Sequence, residues 1–183
     1  MSQVDGFRRA CMRSVADIEA RTIPWSGYKE EMKKILGASP TEQEILNIGS
    51  NLKRIFKSEL RGRGQGELSR GGASWEILVT WYLNLIFWNT NVVVMRPRKS
   101  LVPPVISDAM AVQIRGVTTS KETDVIVIEV PNTSSALELD QDSINTVISS
   151  NPELTSVGVV QCKTNWNDNA QIPMLWNMVY SAQ

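Results

Sequence analysis

The stretch ASWEILVTWYLNLIFWN, residues 73–89, sets the first condition on the fold, because it is apolar almost all round. A helix without a polar face must be covered on most of its sides by other elements. Ser74 is the residue type expected at its N-cap. The texture then changes: NVVVM (91–95), AVQIRGV (111–117), DVIVIEV (124–130) and SVGVVQCK (156–163) are short β-like runs. The loop RPRKSLVPPVISD separates the first two, and a helical stretch, DQDSINTVISS, separates the last two. A buried helix beside several short strands predicts an α/β or α+β sandwich built on a central sheet of about four strands.

Upstream, residues 1–60 form a helical N-terminal region, with stops at Ile23-Pro24 and at Gly37-Ala38-Ser39-Pro40. Ser39 or Thr41 caps the helix that carries Ile45, Leu46, Ile48, Leu52, Ile55 and Phe56. A Gly- and Arg-rich connector, RGRGQGELSRGG at 61–72, then leads into a core at 73–183. DNAQIPMLWNMVYSA (168–182) is expected to close the chain as a helix, with Asp168 as cap and Pro173 in its first turns.

Composition narrows the chemistry more than the fold. The 183 residues contain no histidine, which removes Ser-His-Asp and Cys-His nucleophiles, zincin motifs and His-Cys zinc sites. Two cysteines, Cys11 and Cys162, cannot make a thiolate zinc site, and they fit a reducing cytoplasm better than a disulfide framework. Lys plus Arg and Asp plus Glu both number 19, so any nucleic-acid surface must be a local patch rather than a global field. The sequence offers neither a membrane span nor a signal peptide. An enzyme with this composition works with carboxylates, amides, lysine, hydroxyls and a hard metal ion.

Residues of that kind converge in GVVQCKTNW (158–166). Alternation along a strand puts Val159, Gln161 and Lys163 on one face and Cys162 on the other. A lysine is costly to bury, so Lys163 belongs at the strand end, facing a cleft. Asp124 opens DVIVIEV, where β-propensity would not choose an aspartate. If these two strands are neighbours, Asp124, Gln161 and Lys163 surround one small site: an acid for a divalent cation, an amide oxygen and a water-orienting ammonium.

This pattern resembles the PD-(D/E)XK nuclease superfamily, which includes many type II restriction endonucleases. Thr123-Asp124 before VIVIEV is similar to the first half of its motif, and Gln161-Cys162-Lys163 after VGVV to the second, while Glu76 stands where the family often has a helical glutamate. The resemblance covers about residues 73–183. It implies a restriction-endonuclease-like core with a central mixed sheet flanked by helices. It also implies Mg²⁺-dependent hydrolysis of DNA phosphodiesters (Mn²⁺ able to substitute), leaving a 5′-phosphate and a 3′-hydroxyl. Asp124 then resembles the main metal-binding carboxylate, the Cys162 carbonyl and Gln161 further ligands, Lys163 the lysine beside the attacking water, and Glu76 an outer carboxylate. Double-stranded DNA as partner, cleaved by a homodimer, follows from the same resemblance. A junction-resolving or repair nuclease and a catalytically inactive DNA-binding module are the alternatives.

Two departures bear on these expectations. Gln161 stands where the family has Glu or Asp. Either glutamine serves naturally, or a carboxylate such as Glu76 compensates, or the residue replaces a glutamate so as to slow cleavage. Family cores also commonly add a strand after the last helix, so a fragment or a compact variant is expected.

Taken singly, each residue also suits a plainer role. Asp124 fits a strand start, Lys163 a solvated strand end, and Glu76 a first-turn carboxylate favoured by the helix dipole. Glu129 alternates to the face opposite Asp124. For the DNA itself, Asn165, Asn169 and Gln171 carry amides able to read adenine edges, and Trp166 can wedge or stack. Arg70 in the connector and Arg115 after AVQI are candidate phosphate contacts, with Arg61, Arg63, Arg96, Arg98, Lys99 and Lys121 as further cations. The six tryptophans are expected mainly in core packing.

Overall fold

The computed structural model describes residues 2–22, 25–58, 68–98, 100–114, 117–120, 123–133 and 138–163. The first part is helical: α1 (Asp5–Thr22), α2 (Trp25–Leu36), α3 (Glu42–Leu46), a 3-10 turn (Asn47–Asn51) and α4 (Leu52–Ser58). Gly37 ends α2 at φ 71°, the left-handed conformation glycine adopts without a Cβ penalty, and its N–H reaches the Lys33 carbonyl at 2.8 Å. Thr41 starts α3 with a capping box, in which the Glu44 carboxylate accepts the Thr41 N–H at 2.8 Å.

The long apolar helix, α5, spans Leu68–Ile86. It therefore begins five residues before the expected start, and Ser74 lies buried inside it (5% exposed) instead of capping it. The end of the connector is thus helical, and the glycine pair at 71–72 does not stop it. Two glycines cost about 2 kcal/mol of helix propensity, an amount that the packing of the following apolar turns outweighs. Those turns put Ile77 and Leu78 against Tyr28, Met32, Ile48, Leu52, Ile55 and Phe56. Trp75 meets Phe56 edge-on at 5.3 Å and Trp81 meets Trp25 at 5.8 Å, so these three tryptophans do serve packing. Tyr82 donates to the Leu46 carbonyl at 2.9 Å, and any Cβ at Gly49 would collide with its ring.

Beyond α5 come β1 (Val92–Met95), α6 (Pro104–Ala109), β2 (Ala111–Ile114), β3 (Val117–Ser120), β4 (Val125–Glu129), α7 (Gln141–Ser150) and β5 (Ser156–Val160). Among the described residues the main sheet has three strands in the order β1-β4-β5, and both pairings are antiparallel, where about four strands in a mixed sheet were expected. AVQIRGV supplies no strand to it. That run breaks after Ile114, and β2 pairs with β3 as a separate hairpin, Ile114 opposite Val117. Two residues separate the paired ends in the sequence.

One face of the sheet, Val93, Met95, Ile126 and Ile128, is buried with Val4, with Phe7 and Cys11 of α1 and with Ile144 and Ile148 of α7. Each such aliphatic side chain contributes roughly 1.5–3 kcal/mol on burial. α1 is thus part of the sheet's core. On the outer side of β1, buried Asn84 of α5 donates to the Val94 carbonyl at 2.7 Å and accepts the Val94 N–H at 3.1 Å. That side chain satisfies an edge strand which would otherwise present free backbone groups. No helix among the described residues is long and apolar enough to cross a membrane.

Candidate functional site

Because β4 and β5 run antiparallel with Val125 opposite Val160, the residue that enters β4 and the residues that leave β5 meet at one end of the sheet. Asp124 and Gln161 are therefore cross-strand neighbours by register. The Asp124 carboxylate accepts the Cys162 backbone N–H at Oδ2, 2.6 Å away, closing the sheet end with a charge-assisted hydrogen bond. Asp124, Gln161 and Cys162 are half-buried and Lys163 is exposed. β5 ends at Val160, so Gln161-Cys162-Lys163 follows the strand rather than forming its last residues.

Two more charges belong to this end of the sheet. Glu76, half-buried on α5, binds Arg96, which directly follows β1; Arg96 Nη2 lies 2.5 Å from Glu76 Oε2, the side chains being 21% and 20% exposed. All four charges act on the Cys162 thiol. Burial first, then the Asp124 and Glu76 carboxylates, push it up to about 12, against the opposing pull of Arg96 and Lys163. A thiol so raised is neutral at ordinary pH and no nucleophile. Cys162 contributes its backbone N–H, which Asp124 accepts.

A hard divalent cation finds oxygen donors here: the Asp124 carboxylate, the Gln161 amide oxygen and the Cys162 carbonyl. One or two carboxylates, with waters completing the sphere, suit Mg²⁺, and Asp124 is the carboxylate of this set. Glu76 is paired with Arg96 through Oε2. Among the described residues no three His, Cys, Asp or Glu side chains gather closely enough to hold a metal.

The structure thus draws Asp124, Gln161, Cys162, Lys163 and Glu76 to one end of the sheet and adds Arg96, which the sequence suggested only as a loop cation facing DNA. The signal for it was positional: a basic residue right after a strand, at the sheet end where the acid that precedes the neighbouring strand stands. Of the expected DNA contacts, Asn165, Trp166, Asn169, Gln171 and Arg115 lie outside the described residues, and Arg70 falls in the first turn of α5. Glu129 is exposed at the far end of β4. A groove of about 560 Å³ lies elsewhere, between α2 and α4, and shares no residue with this cluster. Its lining includes Glu31, already paired with Lys34 and Arg54.

No family model matches this chain, and neither the curated proteins nor the solved structures include a match to it.

Proposed function

We propose that this chain is a Mg²⁺-dependent endonuclease hydrolysing DNA phosphodiesters, with a compact restriction-endonuclease-like core. The observation that carries the reading is the Asp124 to Cys162 hydrogen bond, which holds an acid beside Gln161 and Lys163 at the end of two paired strands. Asp124, Gln161 and the Cys162 carbonyl would hold Mg²⁺, or Mn²⁺ in its place, which when bound supplies a water of lowered pKa and a positive charge for the phosphate. Lys163, exposed at the rim, orients the attacking water and stabilises the negative charge that develops on the phosphate oxygens. Sequence-specific cleavage of duplex DNA by a homodimer in the cytoplasm completes the proposal.

The neutral Gln161 and the Arg96-bound Glu76 favour a second reading, a DNA-binding module without cleavage. Plasmid DNA incubated with Mg²⁺ and either the wild-type chain or Gln161→Glu separates the two. Cleavage by either form supports the nuclease, and Lys163→Ala in the active form then lowers the rate by about 100-fold or more. If neither form cuts, and Lys163→Ala leaves DNA binding unchanged, the nuclease reading is wrong.

A further inference from the structure

We infer that Arg96 is a phosphate-contacting cation of this site, and that Glu76 serves to anchor that arginine rather than to ligate a metal ion. The inference rests on the nuclease reading for its substrate, but its evidence is separate. Arg96 follows Met95, the last paired residue of β1, whose partner is Ile126 on β4. The antiparallel ladder therefore carries Arg96 to the sheet end where Asp124 enters β4. Three strand ends, those of β1, β4 and β5, so deliver Arg96, Asp124 and Lys163 to one place.

Charge gives the reason for an arginine there. Asp124 and Glu76 alone would repel a phosphodiester. Arg96 and Lys163 balance them, and together the four leave no net charge before any metal binds. With a neutral amide at 161, the donor set suits one divalent ion, and the rest of the phosphate's charge needs a cation from the protein. A guanidinium presents several donors in a planar fork, matched to phosphate oxygens. Glu76 occupies Nη2, while Nε is buried and has no partner among the described residues. The Arg96 side chain is 21% exposed, where Arg8 in the buried pair of α1 is 1% exposed, so this guanidinium is open to a ligand as a sealed structural pair is not. Its one carboxylate partner fixes its position without using all its donors.

The test uses the full chain, duplex DNA in EDTA, and Mn²⁺ without DNA. Arg96→Gln should weaken metal-free duplex binding and reduce the slope of log affinity against log salt by about 1, as for one lost phosphate contact. Arg96→Lys, which keeps the charge, should restore the salt slope. Glu76→Gln should change Mn²⁺ affinity by less than about threefold, where removal of a ligand or of a residue orienting one costs about tenfold or more. An unchanged salt slope in Arg96→Gln overturns the phosphate contact, and a tenfold loss of Mn²⁺ affinity in Glu76→Gln overturns the anchoring role. Should Arg96→Gln fail to fold, the same slope is read from the double variant Arg96→Gln/Glu76→Gln, which leaves no carboxylate unpaired; a slope lower by about 1 supports the contact and an unchanged slope overturns it. If the salt slope depends on Arg96 while no form cuts DNA, the nuclease reading falls and the phosphate contact stands. If the chain cuts and the slope ignores Arg96, the reverse holds.

Discussion

Removing the Asp124 carboxylate should separate its work as a structural acceptor from its work as a ligand. Asp124 Oδ2 accepts the Cys162 N–H at 2.6 Å, and both residues are half-buried. A hydrogen bond to a charged group contributes about 1.5–3 kcal/mol, a neutral one about 0.5–1.5. Water can reach a half-buried N–H, which puts Asp124→Ala at the lower end, about 1.5 kcal/mol. In a chain of this size that lowers Tm by about 3–6 °C. Asp124→Asn keeps an oxygen in reach of the N–H and should lose about 1 kcal/mol or less. Both variants lose the carboxylate proposed to bind metal, so on that reading Mn²⁺ affinity and any cleavage should collapse equally in the two. Urea denaturation and Mn²⁺ titration of the three proteins side by side read both quantities. If Asp124→Ala unfolds at the wild-type urea concentration, the hydrogen bond contributes nothing and the assembly of the strand ends loses its basis. If Asp124→Asn binds Mn²⁺ as tightly as the wild type, the carboxylate is structural only.

The thiols give a pH prediction. Burial pushes both Cys11 and Cys162 from 9.0 up to about 12, so the fold favours their neutral forms. Their contribution is fully present below about pH 9 and is lost as pH rises from there towards 12; Cys162→Ala should flatten part of that alkaline loss in urea midpoints taken from pH 8 to 11. At pH 8 native Cys162 should also resist iodoacetamide and react readily in urea, and equal rates in the two states would contradict its raised pKa. The buried ion pair in α1 gives a stability prediction. Arg8 binds Asp5 and donates from Nη2 to the Thr90 and Val92 carbonyls at 2.8 and 2.7 Å, with Arg8 1% and Asp5 0% exposed. Arg8→Met strands a buried carboxylate and two carbonyls, so it should cost about 3–5 kcal/mol in urea denaturation; a loss below about 1 kcal/mol would show that the pair does not pin α1 to β1.

What the sequence disclosed followed the range of its signals. NVVVM, DVIVIEV and SVGVV announce β1, β4 and β5 through dense β-branched residues, and DQDSINTVISS announces α7, where the structure finds Asp140 capping by accepting the Ser143 N–H at 2.8 Å. These signals are local, and nothing distant overrides them. AVQIRGV misled because β-propensity says that a run is extended but not where it reverses; the Arg-Gly pair inside it was the turn signal to weigh. Ser74 misled because a good cap residue is also tolerated inside a helix held by packing. Asp5 and Arg8 look in sequence like a solvated i,i+3 pair, and only the docking of α1 on β1 buries them.

The site lies between these cases. That Asp124 should meet Gln161 needed just one assumption, that the two apolar runs are antiparallel neighbours, and the Val125 to Val160 register supplies it. The Arg96 partner of Glu76 needed the third strand and the helix together, an arrangement no spacing of 20 residues encodes. The consequence reaches the reading of Gln161. While Glu76 counted as a spare carboxylate, it was the natural substitute for a missing acid. Bound to Arg96 through Oε2, its charge is already balanced by the guanidinium. Under the proposed nuclease reading, the amide at 161 then goes with a site whose second positive charge is a guanidinium.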